Sequence, residues 1–155
     1  MRLQLLFIGK TKEKYLSSGI EDFVKRLSHY LKVEIKTVKE ARINKGEPAN
    51  LLIEKESQAL LQNVRGDYLV CLDRSGKQLD SPGLAKQLER WEMQGIKKIS
   101  FVIGGHLGLS ATILKKANYI LSLSPMTFTH EMSRMILLEQ LYRACTIKAG
   151  EKYHK

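Results

Sequence analysis

Apolar residues are arranged along the chain as short compact runs that alternate with stripes at helical spacing. The compact or alternating runs predict five strands, at 3–8, 33–38, 68–72, 98–103 and 119–123. Helical stripes fill the segments between and after them, and the first of these predicted helices covers 13–30. Strands that alternate with helices predict an α/β fold with a mainly parallel sheet and helices on both faces.

Residues with known terminal preferences mark several helix boundaries. Pro48 opens a helix that carries Leu52, Ile53, Glu56, Ala59, Leu60 and Val64 on one stripe. Ser81, followed by Pro82, is predicted to cap the next helix, and Ser110 is predicted to cap a short helix that ends at Lys116. A long closing helix contains Met132, Met135, Ile136, Leu138 and Tyr142, and Gly150 is predicted to end it.

Ligands of parallel sheets bind beyond the carboxyl ends of the strands, where the loops converge. This rule selects the loops that follow Leu72, Ile103 and Leu123. The chemistry of the protein is therefore expected mainly in its last third, from Gly104 to the terminal residues.

The net charge of the chain indicates a class of binding partner, whereas its length indicates only the number of domains. With 155 residues we expect one domain, 1–155, and with 26 Lys and Arg against 16 Asp and Glu the formal net charge is +10. Such a field attracts polyanions, of which nucleic acid is the commonest in cells, although a merely lysine-rich solvated surface is the alternative. The apolar run at the N-terminus is too short for a signal peptide or a membrane span, so we expect a cytoplasmic protein.

Two cysteines lie far apart in apolar surroundings. Cys71 falls inside an apolar run and Cys145 near the end of a helical stripe, and neither has a nearby cysteine or histidine pair. We interpret both as small buried hydrophobic residues and expect neither a disulfide nor a metal site.

A glycine-rich turn at 104–108 separates a predicted strand from a predicted helix. Its spacing is not that of a dinucleotide-binding loop, and the strand that follows ends without an acidic residue for a ribose. No Gly-Lys-Ser/Thr closes the turn, which excludes a P-loop. What remains is either close approach of the backbone to a ligand or tight packing between strand and helix.

Two further segments are candidates for binding or chemistry. The irregular loop 124–130 could present backbone groups to a heterocycle, or could be an ordinary connector with Thr129 as the cap of the last helix. The terminal segment 151–155 carries Tyr153, His154 and Lys155, which could stack on a base, transfer a proton and contact phosphate. Chain ends are usually disordered, and disorder is the alternative here.

Several stretches together resemble the RlmH-type family of small SPOUT methyltransferases, which modify N3 of a pseudouridine in bacterial large-subunit (23S) rRNA. The resemblance covers the whole chain and is carried by residues 6–10, 70–77, 101–108, 121–128, 139–144 and 153–154. It implies a C-terminal trefoil knot, a homodimer and S-adenosyl-L-methionine as cofactor. The cofactor contacts it implies are Leu72, Gly104, Leu123, Ser124, Pro125, Met126, Thr127 and Phe128.

The same resemblance suggests where the reaction takes place. N3 of pseudouridine carries a proton, which must leave or be stabilised as the methyl group arrives. His154 is the first candidate for handling that proton, Tyr153 for stacking or bonding the base, and Arg143 for holding anionic charge, with His130 as a secondary candidate. Arg143 could instead only pair with Glu139, four residues earlier. His106 and Leu107 depart from the family pattern, as does Thr129, and the role of His106 stays open.

Two other classes of function remain possible on the residues alone. A non-catalytic basic protein that binds ribosomes or RNA would explain the charge and the size. A nucleotide-dependent dehydrogenase would explain the glycine turn, but the missing acidic residue argues against it. We expect the substrate to be large-subunit rRNA in an assembled ribosome, with no membrane and no metal involved.

Overall fold

Strands and helices alternate along the chain, as the hydrophobic pattern predicts. The computed structural model describes residues 1–64 and 68–154. Over these residues the elements are β1 (Arg2–Ile8), α1 (Lys14–Leu27), β2 (Lys32–Val38), α2 (Ala49–Leu61), β3 (Tyr68–Gln78), α3 (Ser81–Met93), β4 (Lys98–Ile103), α4 (Ala111–Lys116), β5 (Tyr119–Ser122) and α5 (His130–Lys148).

The strands form one parallel sheet in the order β2-β1-β4-β3-β5. One face carries α1, α3 and α5 around a core that includes Leu5, Leu88 and Leu141. The opposite face carries α2 and α4, which pack through Leu60 and Ile113. The predicted α/β class, with a parallel sheet covered on both faces, is confirmed.

Strand β3 differs from its prediction. It was expected to end at Leu72, but it runs to Gln78, and Leu121 of β5 lies opposite both Leu72 and Lys77. Residues 73–76 therefore bulge out of the sheet before the strand returns to β5. At the return, a Cβ on Gly76 would lie 2.6 Å from the carbonyl of Ile120, so only glycine fits. The trefoil knot that the family resemblance implies stays a prediction.

The predicted helix ends are mostly correct. The Ser110 and Thr129 side chains cap α4 and α5, accepting hydrogen bonds from the amides of Ile113 and Met132. Gly150, with φ +71°, ends α5, and the next amide returns to the carbonyl of Thr146 in a Schellman arrangement.

The first helix ends at Leu27 rather than at residue 30, and two other boundaries differ by one residue. Asp80, not Ser81, caps α3 by accepting from the Gly83 amide at 2.7 Å, because an ionised carboxylate is a strong acceptor for the free amides of a first turn. Strand β5 ends at Ser122 rather than at residue 123. At this end the chain turns, and the Ser122 hydroxyl donates a hydrogen bond to the carbonyl of Ser124. Residues 65–67, directly before the predicted strand 68–72, and the terminal Lys155 lie outside the described residues.

Both cysteines are buried and unpaired, as expected for small hydrophobic residues. Burial raises the pKa of the Cys71 thiol to about 12 and that of Cys145 to about 11. In the described part of the chain, no helix is long and apolar enough to cross a membrane.

Candidate active site

A cleft of about 820 Å³ opens beyond the carboxyl ends of β3, β4 and β5. The three loops selected from the sequence meet there, because parallel strands end at the same edge of their sheet. Its lining consists of Leu72, Asp73, Arg74, residues 103–108, residues 121–124 and residues 126–130, together with Ser133.

The structure brings together nearly all residues that the family resemblance assigns to the cofactor. Leu72, Gly104, Leu123, Ser124, Met126, Thr127 and Phe128 all line the cleft. Pro125 belongs to the same loop but is exposed and is not among the lining residues. Whether these residues bind the cofactor stays a prediction, although their convergence on one cleft agrees with it.

Hydrogen bonds hold the rim of this cleft in shape. Arg74 donates from Nη1 to Oγ1 of Thr127 at 3.1 Å, which joins the loop after β3 to the loop after β5. Within the second loop, the amide of Met126 donates to the hydroxyl of Ser124 at 3.0 Å. Asp73 and Arg74 were not among the site residues predicted from the sequence. Their position directly after the predicted strand 68–72 indicates that they lie at the same edge of the sheet as the other loops.

The turn at 104–108 requires glycine because its backbone approaches itself closely. A Cβ on Gly104 would collide with the backbone carbonyl of Gly108, and Gly108 has φ +86°. Gly105 and Gly108 form an isolated bridge across the turn. Gly104 and Gly108 are therefore required by the closure of the turn itself, and the turn lines the cleft. Close approach to a ligand stays a prediction.

The lining of the cleft is mostly apolar and carries few cations. Leu72, Ile103, Leu121, Leu123 and Phe128 supply hydrocarbon and aromatic surface. No lysine is present among the described lining residues, in contrast to the lysine that commonly serves phosphate-binding loops. Such a lining suits a nucleoside without phosphates. Within the described ranges, no group of three His, Cys, Asp or Glu side chains is arranged to hold a metal ion.

His130 begins α5 at the edge of the cleft and is half-buried. Burial, together with the nearby positive charge of Arg134, lowers the pKa of its imidazole. His130 is therefore mainly neutral at pH 7 and can accept a hydrogen bond or a proton.

Two buried charges anchor the start of α5 to the loop between β1 and α1. The carboxylate of Glu131 accepts from the Lys12 amide at 3.0 and 3.1 Å and from the Glu13 amide at 3.2 Å. Burial alone would raise the pKa of Glu131, but these bonds and Arg134 outweigh it and lower that pKa. Arg134 is fully buried and donates to the carbonyl of Ile8 at 2.5 Å. Neither charge was singled out from the sequence.

The candidate residues of the tail gather at the other end of α5. Arg143 forms an ion pair with Glu139 at 2.5 Å, and its guanidinium lies 4.6 Å from the ring centroid of Tyr153. The Tyr153 hydroxyl donates to Glu139 at 3.1 Å, and its ring packs edge-on against Tyr142 with centroids 4.7 Å apart. The pairing of Arg143 with Glu139, proposed from their spacing, is thus present. The tail up to residue 154 is described, with Tyr153 packed and His154 exposed.

The tail cluster lies far from the cleft of its own chain. Arg143 is 13 positions beyond His130 on one helix, which corresponds to roughly 20 Å along the axis at 1.5 Å per residue. Neither Arg143 nor Tyr153 lines the cleft. The structure therefore places His130 with the predicted cofactor residues, and Arg143 and Tyr153 in a separate cluster.

Comparisons with known proteins agree on one family. A family model described as "Predicted SPOUT methyltransferase" matches residues 1–154. The chain is 48% identical to the ribosomal RNA large subunit methyltransferase H of Desulfotalea psychrophila and 46% identical to that of Halothermothrix orenii, and each alignment covers both proteins completely. Its fold is similar to the crystal structure of the tRNA (m1G37) methyltransferase from Aquifex aeolicus, with a TM-score of 0.56 and 14% identity over 100% of this chain and 74% of that one.

Proposed function

This chain belongs to the SPOUT methyltransferase family, and on that premise we propose that it methylates N3 of a pseudouridine in large-subunit rRNA on the assembled ribosome. S-adenosylmethionine is the cofactor of the family. Methylation of rRNA is supported by the names of full-length relatives at 46 and 48% identity. Pseudouridine and its N3 atom are carried over from the family resemblance. The assembled ribosome is the substrate expected from the sequence, and with it we propose a cytoplasmic enzyme.

The observation that carries the proposal is the convergence of the three loops on one cleft. S-adenosylmethionine supplies an electrophilic methyl group on a sulfonium and carries no phosphate, which agrees with a lining without lysine. Leu72, Leu123 and Phe128 would hold the adenosine between apolar surfaces, and the backbone of Gly104 and of residues 124–127 would bond its polar edge. The volume of about 820 Å³ lies within the range usual for sites of small ligands.

The chemical step exchanges a proton for a methyl group at N3. In the proposed reaction His154 takes the proton from N3, and the electron pair of N3 forms the bond to the methyl carbon. Bound S-adenosylmethionine would supply that methyl group, and the electron pair of its broken carbon–sulfur bond would stay on sulfur as neutral S-adenosylhomocysteine leaves. Tyr153 stacks on or bonds the extruded base, and Arg143 stabilises the anionic charge that develops on its carbonyl oxygens. His130, neutral at the cleft edge, is a second acceptor for the proton.

We further propose that these groups act on the cleft of a second copy of the chain. Two features of α5 support a homodimer. The tail cluster stands roughly 20 Å along the helix from the cleft of its own chain. In addition, no side chain from residue 130 to residue 147 is fully exposed, and Met132, Met135 and Ile136 are only half-buried in the single chain. A helix that is apolar on so many sides requires cover on its remaining face.

The reaction and its substrate are tested together by labelling ribosomes. Ribosomes from a strain that lacks this protein are incubated with the purified protein and labelled S-adenosylmethionine, and the modified nucleotide is mapped. We expect one labelled pseudouridine in large-subunit rRNA. Equal labelling of protein-free rRNA would contradict the requirement for a ribosome, and label on another nucleotide would contradict the substrate.

The proton-handling role is tested by His154→Ala. We expect a large loss of methyl transfer with unchanged cofactor affinity, because His154 is exposed and outside the cleft. Turnover near that of the parent protein would remove His154 from the mechanism.

Action across the dimer is tested by mixing two inactive variants. One carries Gly104→Val, which blocks the glycine turn of the cleft, and the other lacks residues 153–155. Random mixing of equal amounts of a two-fold dimer leaves about one quarter of the sites with an intact cleft and an intact tail from the partner. We expect about that fraction of parental activity, and no recovery would show that the tail acts within its own chain.

The alternative of a non-catalytic RNA-binding protein makes an opposite prediction for the cofactor. A ligand that binds only the native state must raise its thermal stability. The absence of any shift of the melting temperature with saturating S-adenosylhomocysteine would favour the binding protein.

A further inference from the structure

A second cavity, of about 360 Å³, lies beyond the carboxyl ends of β1 and β4. These neighbouring strands lead to helices on opposite faces of the sheet, α1 on one and α4 on the other. Such a point, where the connections diverge, is where parallel α/β sheets open a crevice for ligands. We call this space the switch-point cavity; Ile8, Lys12, Glu56, His106 and His130 are among the residues that line it.

The switch-point cavity adjoins the larger cleft. Gly105, His106 and His130 line both spaces, so the two are separated by no more than this shared wall. A ligand whose nucleoside occupies the larger cleft can therefore extend its other end toward the switch-point cavity.

Glu56 is the unusual group of this cavity. It is 4% exposed, and its Oε1 accepts one hydrogen bond, from the amide of Ala41 at 3.3 Å. Its Oε2 lies 2.7 Å from the place that a Cβ on Gly105 would occupy, directly behind the glycine turn. Among the described residues, Glu56 has neither an ion-pair partner nor a donor for Oε2.

The other acidic groups of the cavity already have partners. Glu131 accepts three bonds from the amides of Lys12 and Glu13. Glu40 lies 3.8 Å from the ammonium of Lys12, and its side chain is half-exposed to water. Glu56 is thus the carboxyl group left to receive a positive charge from a ligand.

An unpaired buried carboxyl group destabilises a fold unless something else compensates it. Burial raises the pKa of Glu56, opposed by the Ala41 amide and by the nearby His106. The group nevertheless stays in the apolar stripe of α2, where an apolar residue would pack without this penalty. A cationic ligand supplied from the neighbouring cleft would provide the missing partner.

We propose that the switch-point cavity binds the amino-acid end of S-adenosylmethionine, with the Glu56 carboxylate accepting hydrogen bonds from its ammonium group and Lys12 facing its carboxylate. The proposal rests on the assignment of the cofactor and adds Glu56 and Lys12 to the residues that hold it. Glu56 supplies the anion, and Lys12, whose ammonium lies 3.8 Å from Glu40, supplies the cation, and together they match a zwitterion. A nucleobase fits it less well, because no Phe, Tyr or Trp is found among its described lining residues.

The test compares two ligands that share the adenosine and the sulfur but differ at the amino-acid end. S-adenosylhomocysteine carries that end, whereas 5′-methylthioadenosine lacks it. Calorimetric titration of each against Glu56→Gln should show S-adenosylhomocysteine bound roughly 10- to 100-fold more weakly than by the parent protein, as expected for a lost charged hydrogen bond. The affinity for 5′-methylthioadenosine should stay within about twofold, which also shows that the variant is folded.

Glu54→Gln is the matched control, because it removes the same charge from the same helix at a side chain that lines neither space. It should leave both affinities unchanged. Unchanged binding of S-adenosylhomocysteine to Glu56→Gln would overturn the proposal, and so would an equal loss for the two ligands. If the parent protein binds neither ligand, the assignment of the cofactor itself fails, and that outcome is distinct from the other two.

Discussion

Replacing Arg134 tests the anchor that fixes the start of α5. Its guanidinium is fully buried, donates to the Ile8 carbonyl at 2.5 Å and to Thr11 Oγ1 at 3.0 Å, and lies 4.8 Å from the centroid of the Phe7 ring. Arg134→Met keeps most of the side-chain volume but removes both donors and the charge. The variant leaves the buried Ile8 carbonyl without this donor, and an unsatisfied buried acceptor carries the full cost of its desolvation.

The expected loss follows from these contacts. Two hydrogen bonds from a charged donor contribute about 1.5–3 kcal/mol each, and the cation–π contact adds about 1 kcal/mol. Arg134 is a buried charge, and its Nε has no hydrogen-bond partner within the described residues. Removing this desolvated charge offsets part of the expected loss. We therefore expect a net loss of about 3 kcal/mol in the free energy of unfolding, or about 6–12 °C in melting temperature for a chain of this size.

Urea denaturation at one fixed protein concentration measures this loss. Arg26→Met is the matched control, because Arg26 is half-exposed, pairs with Asp22 one turn away and lies 6.0 Å from the centroid of the Tyr142 ring, and such exposed contacts contribute little. Hydrogen exchange should accelerate at the amides of Lys12 and Glu13, which Glu131 holds through the same anchor. A loss for Arg134→Met no larger than that for Arg26→Met would refute the reasoning.

Three further outcomes follow from the site. Burial raises the pKa of Glu56, so above about pH 4.5 the unfolded chain binds fewer protons than the folded one, and this group lowers the stability of the fold as the pH rises. In parallel urea titrations, Glu56→Gln should therefore be more stable than the parent protein at pH 7, and the difference should shrink toward pH 4. Gly104→Ala should lower the affinity for S-adenosylhomocysteine at least tenfold in calorimetry, because the new Cβ meets the Gly108 carbonyl. Gly46→Ala lies in an open loop and should bind the ligand normally despite its own backbone strain. Binding to ribosomes should weaken with salt by a log–log slope of roughly −0.7 to −0.9 per neutralised phosphate, and a salt-independent affinity would contradict the electrostatic role of the +10 net charge.

Hydrophobic periodicity was sufficient for the order of elements and for the edge that carries the cleft. The run at 98–103 coincides with β4, and the alternation at 33–38 marks an edge strand with one face exposed. These segments were predictable because their burial depends only on which side of one element faces the core. The same logic identified the three loops, since all parallel strands end at one edge.

Features that depend on contacts between distant segments were not predictable in this way. Asp73, Arg74, Ser75 and Gly76 have the composition of a turn, yet β3 resumes after them because Leu121 of β5 pairs on both sides of the bulge. The buried charges are a second case. Periodicity assigns charged residues to the outside of a helix, and the partners that bury Glu131 and Arg134 lie more than 115 residues earlier in the chain.

The helix α5 joins these observations into one arrangement. Its first turn holds His130 at the cleft and, through Glu131 and Arg134, fixes the loop that carries Lys12 into the switch-point cavity. Its last turns hold Arg143 and the tail roughly 20 Å away. A rigid helix cannot bring both ends to the same cleft, so if both ends serve methyl transfer, they must serve different clefts. Under the proposed function, the length of α5 then requires that each active site take its cofactor contacts from one chain and its tail from another.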